Sequence, residues 1–107
     1  MNCRRYDEYG WTDRQIDQVA ADIGDVLAIE FEARNSLYRG DYYRWHGPGE
    51  EDLILQENFV EDDDGLPTDD RHPHHVVLLY ASRLPHEWFD RLAAIPGAER
   101  LASRTVS

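Results

Sequence analysis

Carboxylates are the residues here with the most obvious capacity for chemistry. Ten of them (Glu50, Glu51, Asp52, Glu57, Glu61, Asp62, Asp63, Asp64, Asp69 and Asp70) fall within one stretch that holds no Lys or Arg. Charge at this density serves solubility as a solvated face, metal binding such as calcium, or the capture of a basic partner. A helix-loop-helix calcium loop needs oxygen donors at positions one, three and five and Gly at six. Starting from Asp62, position five is Leu66 and position six is Pro67, so that motif fails.

The run His72-Pro73-His74-His75 raises zinc as a second possibility, with Asp69 or Asp70 as a further ligand. If His74 and His75 open a strand, they point to opposite faces. His46 and His86 are remote, and Cys3 is the single cysteine. No metal site and no cofactor are therefore expected, and disulfides within the chain are excluded.

Paired acids can separate their pKa values for hydrolytic chemistry, and Glu30 and Glu32 stand near Arg34 in sequence. They alternate with Ile29, Phe31 and Ala33, which a solvent-facing strand requires in any case. Ser36 and Ser82 sit in nothing like a nucleophile elbow. Gly40, Gly47 and Gly49 lack the spacing of a phosphate-binding loop and have no helix after them. The expectation is a protein that is not an enzyme. The other conspicuous group is aromatic: Tyr38, Tyr42, Tyr43 and Trp45, interleaved with Arg39 and Arg44. Alternation directs Tyr43 and Trp45 to the core, leaving Tyr38, Tyr42, Arg39 and Arg44 as an amphipathic patch.

The elements that position these residues follow from periodicity. A chain of 107 residues with 41% apolar content is read as one folded domain. Met1–Gly10 reads as a loose arm. Thr12 or Asp13 caps a helix over 13–23, with Ile16, Val19, Ala20 and Ile23 on one face and Gly24 at its end. A strand follows from Leu27 through Ala33, then a turn at Asn35-Ser36 or at Tyr38–Asp41, and a second strand over 41–46. Gly47-Pro48-Gly49 breaks the chain before a third strand, Leu53–Phe59. Residues 61–73 read as an acidic loop.

His75–Ser82 is the most apolar strand and is placed centrally in the sheet. Pro85 opens a second helix with Trp88, Phe89, Leu92 and Ala93 buried, and Pro96-Gly97 stops it. The last strand is Glu99–Val106, with Leu101 inward. The order is α-β-β-β-β-α-β. The expected fold is α+β, a four- or five-stranded mostly antiparallel sheet with two helices packed on one face.

Charge bounds the partners. The net charge of -11 opposes direct nucleic-acid binding and suits a basic protein instead. No apolar run is long enough for a membrane span, and no secretory signal is visible, so a cytoplasmic location is expected. All eleven basic residues are Arg, which coding bias explains as well as a need for bidentate pairing does.

In size, acidity and α+β order, and most specifically in Phe31-Glu32-Ala33-Arg34-Asn35-Ser36-Leu37-Tyr38-Arg39-Gly40-Asp41-Tyr42-Tyr43, the chain resembles small acidic immunity proteins of bacterial polymorphic or contact-dependent toxin systems. The resemblance implies a non-catalytic partner that plugs a toxin's cleft, often that of a basic nuclease. On charge alone, Asp62, Asp63 and Asp64 are candidates for steering, with Glu50, Asp52, Asp69 and Asp70 at the rim. Tyr38, Arg39 and Tyr42 are candidate anchors. Two other readings stand beside this one. One is a structural or regulatory subunit that binds through the Tyr/Arg sheet face, and the other is a hydrolase using Glu30, Glu32 and a histidine.

Overall fold

The computed structural model describes residues 4–36, 40–58 and 75–106. Six strands and two helices follow one another as β1 (Arg4–Trp11), α1 (Ile16–Leu27), β2 (Glu32–Ser36), β3 (Gly40–His46), β4 (Asp52–Glu57), β5 (Val77–Ser82), α2 (His86–Ala93) and β6 (Glu99–Val106). The strands form one sheet in the order β2-β3-β4-β5-β1-β6, and every neighbouring pair is antiparallel. β5 and β6 are both antiparallel to β1 and so run parallel to each other, with α2 linking them across β1.

Alternation along the strands sorts residues between the two faces. Tyr9 and Trp11, Leu53 and Leu55, and Val77, Leu79 and Ala81 lie on one face and are buried. Over them pack Val19, Ile23 and Leu27 of α1, and Phe89 and Leu92 of α2. Each fully buried side chain of this size contributes about 1.5–3 kcal/mol through removal from water. Among the described residues no helix packs on the opposite face. Leu78 and Gln56 are buried on it, and Tyr6, Tyr42, Ile54 and Tyr80 are half-buried.

The α+β architecture, with helices on one face of an antiparallel sheet, is as expected; several details are not. The arm expected over Met1–Gly10 is wrong from Arg4 onward, because that segment is β1, hydrogen-bonded on both sides by β5 and β6. The sheet therefore has six strands, and the order begins with β. α1 starts after Gln15, whose backbone N–H donates to Gln18 Oε1 at 3.3 Å, not at Thr12 or Asp13. It runs through Gly24 to Leu27 and ends where Ala28 turns left-handed at φ 54°. Leu27 is thus a buried helix residue, and β2 begins only at Glu32.

Asn35 and Ser36 belong to β2, which leaves the connection to β3 on residues 37–39, outside the described residues. β4 ends at Glu57, two residues short of the expected Phe59. Ala93 is exposed because α2 turns only Phe89 and Leu92 fully inward. Leu101 is half-buried beside a register shift in the β1–β6 ladder.

Candidate functional site

The antiparallel register gives the sheet two ends of different character. At one end β4 stops and Asn58 N–H donates to Val76 O at 2.9 Å, just before β5 begins. The acidic residues Glu61, Asp62, Asp63, Asp64, Asp69 and Asp70 lie outside the described residues, on a segment joined to the fold at Asn58 and His75. Tyr38 and Arg39 also lie outside them, on a segment joined at Ser36 and Gly40. Because Tyr42 pairs with Gln56, those two junctions belong to the same end of the sheet. The two candidate segments from the sequence therefore spring from one end.

Glu50 and Asp52 lie at the other. Five residue steps of β4 separate Asp52 from Glu57, roughly 17 Å of extended chain. Their charges are matched within the fold. Glu50 Oε2 meets Arg83 Nη1 at 2.7 Å, and Asp52 accepts from Arg44 Nε and Nη2 at 3.2 and 3.3 Å. Ion pairs this exposed contribute little to stability, but they remove net charge from that rim. Tyr42, with Arg44, stands on the face away from the helices and is half-buried.

At the first end a cleft of about 520 Å³ opens between the start of α1 and β2–β4, lined by Asp17, Arg34, Tyr43, Glu57 and the sequence candidate Tyr42, among others. Tyr43 donates its hydroxyl to Asp17 Oδ1 at 2.6 Å. A second hollow of about 380 Å³, beside Arg14, Gln15 and Val76, shares Asp17 and Glu57 with it. Both carboxylates are exposed. Asp17 holds its place because Ile16 faces the core cluster and turns the next residue outward.

At the far end a hollow of about 330 Å³ gathers Tyr6, His46, Glu50, Asp52, Ser82 and Arg83. Ser82, Asp52 and His46 are successive neighbours across β5, β4 and β3. Nucleophilic catalysis needs the imidazole between hydroxyl and carboxylate. Here the carboxylate is in the middle, with His46 Nδ1 3.6 Å from Asp52 Oδ1. Glu30 precedes β2, so it does not share a strand with Glu32, whose exposed carboxylate binds Arg34 at 3.0 Å. Neither acid lines any of the three hollows.

His75 Nε2 lies 2.8 Å from Glu99 Oε2, while His72 and His74 are outside the described residues. Among the described residues no group of three His, Cys, Asp or Glu is placed to hold a metal ion. Among them, too, no helix is long and apolar enough to cross a membrane.

One polar cluster escaped the sequence reading altogether. Asp7, on β1, is buried and accepts from Arg5 Nε and Nη2 at 3.1 and 3.0 Å, from Tyr9 Oη at 2.7 Å and from Ser103 Oγ at 2.7 Å. Arg100 Nε approaches it at 3.4 Å. Burial alone would raise its pKa, but the bonds from Arg5, Tyr9 and Ser103 and the Arg5 charge outweigh it, so the carboxyl stays below its ordinary value. Burial and the bond to Asp7 push the Tyr9 phenol upward. Every group in this cluster is satisfied by another, which makes it a clamp holding β6 to β1. An inward acid flanked by Arg5 and Tyr9 was its only trace in the sequence.

The chain matches no protein-family model, and no curated protein sequence matches it.

Proposed function

We propose that this chain is a non-enzymatic binding protein that engages and neutralises a basic protein, as an immunity protein does a bacterial toxin such as a nuclease. One observation carries the reading. The acidic run of the sequence, which contains no Lys or Arg between Glu50 and Asp70, joins the fold at the end of the sheet where Asp17 and Glu57 flank an open cleft, whereas at the opposite end Glu50 and Asp52 are matched by Arg83 and Arg44. Negative charge gathered at one end of a small protein attracts a cationic cleft over distance and orients it on arrival. The partner's setting would be the cytoplasm.

Purification with the product of a neighbouring gene is the test. A basic toxin should be retained at low salt, and its toxicity should be suppressed by co-expression. If the toxin is not retained at low salt and cells are not protected, the proposal fails.

A second reading draws on the face that no helix of the described residues covers, where Tyr6, Tyr42 and Tyr80 are half-buried around Arg44 and Ile54. Under it the chain is a subunit of a larger assembly. Truncating Tyr42 would then weaken association more than neutralising Asp62–Asp64.

A further inference from the structure

Phe31, Tyr43, Trp45 and Trp88 form a continuous aromatic strip along the helix-bearing side of β3. The Phe31 and Tyr43 ring centroids are 6.0 Å apart with planes at 57°, and those of Trp45 and Trp88 are 5.5 Å apart at 38°. Tyr43 and Trp45 are two residues apart on one face of β3, which joins the pairs into a single band. As alternation directs, Tyr43 and Trp45 turn toward the core and pack against it, but all four rings are half-buried, while Trp11 and Phe89 are fully buried. The cause is architectural. β3 lies one strand from the sheet's edge, and the helices reach it where Asp17 of α1 meets Tyr43 and Trp88 of α2 meets Trp45.

Exposed carboxylates border the band. At its Tyr43 end, Asp17 accepts the Tyr43 hydroxyl and Glu57 lies across the adjoining cleft. The cation of that cleft, Arg34, is already held by Glu32 at 3.0 Å. We propose that this strip is the surface that receives arginine side chains of the partner, an inference that rests on the reading of that partner as basic. A guanidinium is planar and weakly hydrated, so it stacks on aromatic faces while its N–H groups reach carboxylates at the border. A compact, strongly hydrated ammonium gains less from the same surface. Rings of this kind supply the desolvated anchors that give an interface its affinity, and the acids supply approach and register.

The test uses two synthetic probes of equal length and charge, one arginine-rich and one lysine-rich, titrated at low salt into the isotopically labelled full chain. The arginine probe should shift the indole N–H signals of Trp45 and Trp88, leave that of Trp11 in place, and bind roughly threefold or more tighter than the lysine probe. The variant Glu57→Gln changes an exposed side chain of the cleft beside Tyr43 and should keep the native spectrum while weakening the arginine probe about threefold or more. Equal affinity for both probes with unmoved indole signals would overturn the strip and leave the basic-partner reading standing. Absence of binding by either probe at low salt would overturn both.

Discussion

Replacing Asp7 with Ala is expected to lower the free energy of unfolding by about 3–5 kcal/mol, the range for breaking a buried charge cluster by removing one member. The carboxylate is 1% exposed and joins β1 to β6 through Ser103 and Arg100. Its loss removes the nearer acceptor of the Tyr9 hydroxyl, leaving it the Phe89 carbonyl at 3.2 Å, and deprives Arg5 and Arg100 of their shared anion. Chemical denaturation of the variant beside the native chain measures the effect. A loss below about 1 kcal/mol, the worth of a single ordinary hydrogen bond, would show that the cluster is not a clamp.

The same residue carries a signed dependence on pH. Its pKa is lower in the folded chain than the ordinary carboxyl value of 3.8, so the unfolded chain binds the proton more readily. The stabilisation is therefore complete above that ordinary value and is lost as pH falls through the depressed folded value. Native stability should drop steeply in acid, and Asp7→Ala should show a shallower acid limb, when unfolding is followed from neutral pH downward.

Trp11→Ala is expected to destabilise by about 3–5 kcal/mol, as large truncations in packed cores do. Trp11 is fully buried, its indole N–H donates to Pro96 O at 3.1 Å, and Gly97 packs against its ring. The ring thus fastens the last residue of β1 to the segment that leads into β6. If the first residues were a loose arm, substitution at its junction would matter far less. Thermal or denaturant unfolding separates the two: a midpoint within a degree or two of the native one would contradict the placement of β1 inside the sheet.

Much of the fold is legible in the residues themselves. β5 reads as central because Val77, Leu78, Leu79 and Ala81 are apolar on both faces, and it does lie fourth of six. α2 reads clearly from Pro85 to Pro96-Gly97, with Phe89 and Leu92 buried as expected. β1 does not read as a strand because Asp7 occupies an inward position. A charge there breaks the alternation unless its partners are known, and Ser103 and Arg100 are supplied from the far end of the chain. Gly24 looked like a helix end, yet burial of Ile23 and Leu27 offsets the cost of about 1 kcal/mol for Gly within a helix.

The candidate site divides in the same way. The acidic run is plain in sequence, but the matching of Glu50 by Arg83 and of Asp52 by Arg44 depends on which strands lie side by side. The half-exposure of Tyr43 and Trp45 depends on how the helices reach β3, which local periodicity does not encode.

The most direct measurement of the central claim is the association rate with a basic partner encoded beside this chain, followed by stopped-flow across a range of salt. For the native chain the rate should be high at low salt and fall steeply as salt rises. Asp62→Asn/Asp63→Asn/Asp64→Asn should lower the low-salt rate by about tenfold and flatten that dependence. A rate insensitive to salt and unchanged by the three substitutions would contradict the claim that acidic steering serves recognition.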